Sequence, residues 1–408
     1  MLTEYFAPHA GGTAVYYNEV WRRLHGTEIF VIARTHPGAP AFDRRQPFII
    51  LRTPFSRIPK VRMVVEFGVQ FLTGLRLTKK HGVNVVHGGQ VYPLGLAAFG
   101  IHLVRRIPYV LYVHGEEVTI AARRRWKSAV VSFLLRHAGA VFVNSWFTAT
   151  QTAALGVPGL KIHIAPPGVD PQRFRPMDGS AVRRRLGGEG RRVLLSVGRL
   201  IARKGQDTVI RLLPRIAAAV PDVVYWIVGG GVEADRKRVK DLAAAAGVAD
   251  RVRFLGEVPD EDLPGLYTAC DVFVMLNRTQ PDGDVEGFGI VFLEANACGK
   301  PVVGGRSGGA VEAVRDGQTG FLIPEGDDDA AVASMIRLLC DRDLRTRLGE
   351  KGRRWAIKHF AWDRTARRVA CVTAGLARSD GARSDVTLER TVVPLDSEKE
   401  IARRLLPW

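Results

Sequence analysis

Short apolar runs alternate with amphipathic stretches from one end of the chain to the other. VNVVHGG (83–89), IPYVLYVHG (107–115) and GAVFVNS (139–145) read as buried strands closed by glycine or polar residues. A second series follows in RRVLLSVGR (191–199), VVYWIVGGG (223–231), RVRFLG (251–256), DVFVML (271–276) and KPVVGG (300–305). Between them lie helical patterns such as DTVIRLLPRIAAAV and DRKRVKDLAAAAG. This βαβα rhythm predicts parallel sheets with helices on both faces, an α/β protein. It occurs twice, and the Pro/Gly-rich PPGVDPQRFRPMDGS (166–180) separates the two halves. The predicted organisation is a first domain over 1–176, a second over 177–360, a helix over 361–378 that crosses back to the first domain, and a polar tail over 379–408, mobile or docked as a short helix. Only MLT precedes the loop EYFAPHAGG, so the first strand reads as truncated, as it would if the true start lay upstream.

A length of 408 residues fits two domains better than one. Mean hydropathy is zero, and the longest apolar candidate, YPLGLAAFGIHLV (92–104), is too short to span a bilayer and contains a histidine. MLTEYFAP shows no basic-then-apolar export pattern, so the expected location is cytoplasmic, with contact to the inner face of a membrane. The four cysteines are widely spaced, which argues for reduced thiols rather than a disulfide framework or a zinc site.

Charge changes the picture by its distribution. The chain carries +18 in total, but residues 1–180 carry +13 of it and the rest only +5. Segment 57–82 interleaves six Lys and Arg, Arg76, Lys79 and Lys80 among them, with apolar residues. AARRRWK (121–127) sets Arg123, Arg124, Arg125 and Lys127 around Trp126. Mixed basic and apolar composition suits an anionic membrane surface or acceptor better than nucleic acid, for which there is no recognised module and no aromatic-rich platform.

In open α/β sheets ligands bind beyond the carboxyl ends of the strands, so the chemistry is sought there. SVGRLIARKGQD (196–207) places Arg199 just after a strand and Lys204 near the next helix start, two cations suited to a diphosphate. Gly229, Gly230 and Gly231 also follow a strand, Gly229 and Gly231 are expected to bind the donor, and 229–234 fits G-x-G-x-x-G/A, which keeps a nicotinamide oxidoreductase open. The most informative stretch is EGFGIVFLE (286–294). Gly287 and Gly289 let the backbone turn, a helix starts near Ile290, and the amides of Gly289, Ile290 and Val291 face an anion. Glu286 lies before the helix and Glu294 one turn inside it, so one carboxylate can take sugar hydroxyls and the other ribose hydroxyls. Asp282-Gly283-Asp284 formally matches a D-x-D metal motif, but within QPDGDVEG it reads as a turn, and no metal is expected.

VGRLIARKGQD, EGFGIVFLEANACGKPVV and SGGAVEAVRDGQTGFL together resemble the retaining GT-B glycosyltransferases of family four, over nearly all of residues 5–375. The resemblance implies two facing Rossmann-like domains, the first for acceptor and the second for a nucleotide-sugar donor, with no cofactor. It further implies Glu286 on the donor sugar, Glu294 on the ribose, and Arg199 with Lys204 on the diphosphate. Gly11 and Gly12 would approach the donor phosphate and acceptor, and His114 would sit over the sugar. GDVEGFGIVFLEA (283–295) is similar to the subgroup that mannosylates phosphatidylinositol, which points to hexose transfer from GDP-mannose, with UDP-glucose and UDP-N-acetylglucosamine open. Base-reading contacts are expected near Leu255–Val258. The rival readings are a GT-B sugar-nucleotide epimerase, the oxidoreductase, and a nucleic-acid-binding protein.

Overall fold

The computed structural model describes residues 1–9, 11–54, 59–120 and 124–379, apart from the side chains of 59–64, 66 and 379. It divides into two compact units: Met1–Pro167 together with the helix Trp362–Ser379, and Gly168–Ala361. The predicted tail from 380 onward and Arg123 lie outside the described residues, and Ser379 belongs to the helix.

The first unit is a parallel sheet of β1 (Leu2–Thr3), β2 (Phe30–Arg34), β3 (Ile49–Thr53), β4 (Val86–Gly88), β5 (Tyr109–Val113), β6 (Ala140–Val143) and β7 (Ile162–Ile164), in the order 3-2-1-4-5-6-7. All five residues of β5 are buried, as a strand covered by helices on both faces requires. β1 is only two residues long but central, pairing with β2 and β4. The helix Trp362–Ser379 docks on this unit. Thr365 donates to the carbonyl of Pro166 at 2.6 Å, Arg368 donates to that of Ile164 at 2.5 Å, and the Trp362 and Tyr16 rings meet edge to face at 5.7 Å.

The second unit is a parallel sheet of β8 (Arg192–Val197), β9 (Val223–Val228), β10 (Val252–Gly256), β11 (Val272–Met275), β12 (Val302–Gly305) and β13 (Gly320–Ile323), in the order 10-9-8-11-12-13. Each of the six β9 residues is buried, and burying a Val- or Ile-sized side chain contributes about 1.5–3 kcal/mol. Residues 168–176, read from sequence as part of the first domain, count with this unit. Phe174 is buried in its core, and the Val169 amide donates to the Phe360 carbonyl at 2.7 Å.

The eight strands read from the sequence are present. β2, β3, β7 and β13 were missed. β3 and β7 pair on one side only at the edges of their sheet and are only partly buried, so they lack a long apolar run. In each sheet the order reverses once, between β1 and β4 and between β8 and β11, which opens a crevice at the strands' carboxyl ends.

Candidate functional site

In the second unit, the loops after β8 and β11 flank that crevice. The β8 loop runs from Gly198 through a short 3-10 turn, Ala202–Lys204, into the helix Gln206–Ala219. The β11 loop runs from Leu276 to Gly289 and feeds the helix Ile290–Ala297. Arg278 fastens the two together. Its guanidinium grips both oxygens of Asp207 at 2.9 and 2.7 Å, and its amide donates to the Arg203 carbonyl at 3.1 Å.

Four side chains meet at the join. Lys204 Nζ lies 2.5 Å from Glu286 Oε2, Arg203 Nη1 donates to the same oxygen at 3.1 Å, and Asn277 Nδ2 at 3.2 Å. Arg203 Nε pairs in turn with Asp284 at 2.9 Å. Burial alone would raise the Glu286 pKa, but Lys204 and Arg203 hold it down at about 2. Burial, with Arg203 and Arg199 close by, lowers that of Lys204 despite its carboxylate partner. The two residues assigned from sequence to sugar and diphosphate are therefore each other's partners in this structure. Arg199 is exposed beside Lys204, with no ion-pair partner among the described residues. A carboxylate clamped between cations, with a second arginine at its edge, presents a hydrogen-bond acceptor to a hydroxyl and positive charge to an anion.

Gly289, with φ 90°, caps the following helix in a left-handed conformation, and a Cβ there would lie 2.7 Å from the Phe292 ring. The helix starts at Ile290 as the sequence predicts. Its first amides, those of Ile290 and Val291, have no acceptor among the described residues. Glu294 is buried and accepts a hydrogen bond from Tyr267 Oη at 2.7 Å. Gly229 serves packing. With φ 138° it lets the β9 loop approach the β8 loop, where a Cβ would sit 2.0 Å from the Gly198 carbonyl oxygen. Gly231 packs likewise on Leu200. Leu255 and Val258 are partly buried against the core.

Asp282-Gly283-Asp284 forms the expected turn, the Asp282 carboxylate accepting from the Asp284 amide at 2.9 Å and Gly283 having φ 87°. Beyond the sequence reading, the Asp284 side chain is committed to Arg203. Among the described residues no three His, Cys, Asp or Glu side chains are grouped to hold a metal.

In the first unit, His114 follows β5 and Gly11 caps the helix Gly12–Trp21. Tyr17, on that helix, donates to the Gly89 carbonyl, and its oxygen lies 2.8 Å from His114 Nε2. A phenol has one proton and a carbonyl only accepts, so Nε2 carries the histidine proton and Nδ1 is left as an acceptor. Burial pushes the His114 pKa down to about 4, which keeps the ring neutral at physiological pH. Glu117 accepts from the amides of His114 and Gly115 at 2.9 and 3.1 Å, and Asn144 donates to the His114 carbonyl at 2.9 Å. Burial, reinforced by Glu116, raises the Glu117 pKa to about 7.

Also on the first unit, Arg76, Lys79, Lys80, Arg124, Arg125 and Trp126 are all exposed or half-exposed, Trp126 under a cation contact from Lys127 at 5.5 Å. Leu72, Leu103, Val104 and Phe133 are exposed apolar residues of the same unit. Sequence reasoning missed Arg203, Asn277, Tyr267 and Tyr17. Only Arg203 left a local signal, as the neighbour of Lys204 in ARKG.

Residues 181–355 match the family described as "Glycosyl transferases group 1", and residues 10–173 match "Glycosyltransferase Family 4". A GDP-mannose-dependent alpha-(1-6)-phosphatidylinositol monomannoside mannosyltransferase of Mycobacterium tuberculosis is 35% identical, covering 91% of this chain and 96% of that protein. A D-inositol 3-phosphate glycosyltransferase of Acidothermus cellulolyticus is 31% identical, covering 87% and 84%. Among solved structures, Anabaena Alr3699/HepE in complex with UDP and glucose superposes with a TM-score of 0.78 at 21% identity, covering 91% of this chain and 98% of that one. The glycosyltransferase WaaG, involved in lipopolysaccharide biosynthesis, gives 0.70 at 19% identity, covering 92% and 99%.

Proposed function

This chain belongs to the retaining GT-B glycosyltransferases of family four, and within that family we propose that it moves mannose from GDP-mannose to a hydroxyl of a lipid-linked acceptor at an anionic membrane surface. The observation that carries the donor half is the convergence of Glu286, Lys204 and Arg203 beside Arg199 at the switch point of the second sheet. Glu286 positions the sugar hydroxyls and Glu294 the ribose. Arg199, Lys204 and the helix amides take the negative charge that grows on the leaving diphosphate, and so act most strongly in the transition state. His114, neutral and with Nδ1 free to accept, holds a sugar hydroxyl rather than donating a proton. Gly11 and Gly12 supply close backbone approach. The reaction retains configuration and needs no divalent metal, because cations and amides provide the charge.

The choice of GDP-mannose and of a lipid acceptor is supported by the mannosyltransferase relatives and by the exposed basic and apolar side chains of the first unit. No described helix is long and apolar enough to cross a membrane. A second reading is favoured by the inositol 3-phosphate glycosyltransferase relatives: a soluble, phosphorylated acceptor.

The test is a matrix of donors and acceptors with products read by mass spectrometry. GDP-mannose with a phosphatidylinositol mannoside should give a hexosylated lipid. Transfer from a UDP-sugar to inositol phosphate would replace this reading with the second. Donor isomerised or hydrolysed at full rate without acceptor would identify an epimerase.

A further inference from the structure

We propose that Arg203 is a positioning residue that holds the Glu286 carboxylate in place when Lys204 leaves it for the donor's diphosphate. The inference rests on the donor-binding reading above and gives a role to Arg203, to which that reading assigns none.

All three named side-chain donors converge on one oxygen, Glu286 Oε2. They are not equally free to move. Lys204 reaches it with a flexible four-carbon stem ending next to exposed Arg199, whose positive charge opposes its own. A diphosphate at Arg199 would draw the ammonium away from the carboxylate, since both cations are then needed on one anion. Arg203 cannot follow. Its guanidinium forms a second ion pair, Nε lying 2.9 Å from Asp284 Oδ1, and its backbone carbonyl is tied to the Arg278 amide at 3.1 Å. With Asn277 at 3.2 Å, it remains on Oε2 after Lys204 has gone. Without it, donor binding would strand a buried carboxylate with no cation, and such a group takes up a proton. Asp284 holds Arg203 in line, which gives the DGD turn a role other than metal binding.

The groups facing Glu286 are Lys204 and Arg203 on the 3-10 turn, Asn277 at the end of β11, and Asp284 on its own loop. With Arg203 still on Glu286 after Lys204 has gone, the wild type should show no acid limb from this group in kcat above about pH 4.5. The experiment compares wild type, Arg203→Gln, Arg203→Lys and Asp284→Asn. It measures GDP affinity by calorimetry and kcat for sugar transfer from pH 4.5 to 8.

The expected result for Arg203→Gln is GDP affinity within about threefold of wild type, kcat lowered at least tenfold, and an acid limb moved up into the pH 4.5 to 8 range, where the wild type shows none. Arg203→Lys should recover most of the limb's position, and Asp284→Asn should show a smaller shift in the same direction. Loss of GDP affinity in proportion to kcat with an unmoved limb would overturn the proposal, leaving Arg203 as a structural residue. If Arg203→Gln does not fold, Asp284→Asn carries the test, and an unmoved limb there is equally fatal. A wild type that transfers sugar normally while Arg203→Gln keeps full kcat refutes this inference alone. A wild type that binds no nucleoside diphosphate refutes it together with the donor-binding reading.

Discussion

Glu294→Ala separates a nucleotide contact from a core hydrogen bond, because the structure gives this carboxylate a partner of its own. Glu294 is 8% exposed and accepts from Tyr267 Oη at 2.7 Å, and Tyr267 is fully buried. Truncation leaves the phenol hydroxyl without that acceptor inside the second unit, which costs about 1–3 kcal/mol of stability. If the carboxylate also holds the ribose, nucleotide binding should weaken by a further ~1–3 kcal/mol, roughly fivefold to a hundredfold in Kd. The two effects separate in the double variant Tyr267→Phe/Glu294→Ala, in which no hydroxyl is stranded. Stability, read by urea unfolding, should then recover by at least half. Affinity for the nucleoside diphosphate, read by calorimetry well below the unfolding temperature, should stay as weak as in the single variant. Wild-type affinity in Glu294→Ala with lowered stability would refute the ribose assignment and leave Glu294 as the partner of Tyr267.

Three further outcomes are expected. Glu286 has a folded pKa of about 2, below its ordinary 4.5, so its stabilisation is fully present above pH ~4.5 and is lost as pH falls towards ~2; this is up to about 3 kcal/mol by linkage, and Glu286→Gln should flatten that part of the pH–stability curve while mainly lowering turnover. Transfer should keep most of its rate after chelation of divalent metals, with Asp282→Asn near wild type, whereas strict Mn²⁺ or Mg²⁺ dependence abolished by Asp282→Asn would mean that the turn is a metal site. The protein should float with anionic vesicles at low salt and lose binding when Arg76, Lys79 and Lys80 become serine, each basic residue contributing about 1 kcal/mol; indifference of the wild type to such vesicles would favour a soluble acceptor.

Most of the architecture was legible because it is written in local periodicity. Runs such as VVYWIV and YVLYV are short, rich in β-branched and aromatic residues and without polar positions, as a strand covered on both faces requires. The edge strands β3 and β7 were harder to read, because an edge needs fewer buried residues. The helix start at Ile290 and the DGD turn were also readable, since glycine at a left-handed position and aspartate in a turn act on their immediate neighbours. Family membership followed from the same short motifs, and the relatives bear it out.

What the sequence determined alone was therefore the central strands, the parallel α/β character of the two halves, and which loops end at those strands' carboxyl ends. It also determined the types of charged group on those loops. Which charges face each other was decided by tertiary structure. Glu286 lies 82 residues from Lys204 and 83 from Arg203 in the chain, and Glu294 lies 27 from Tyr267. Tyr17 lies 97 residues from His114. No local pattern records such pairs, because their proximity depends on strand order, which places β8 beside β11 and β1 beside β4. The same burial that brings them together sets their protonation, holding Glu286 ionised by its cations and His114 neutral by desolvation.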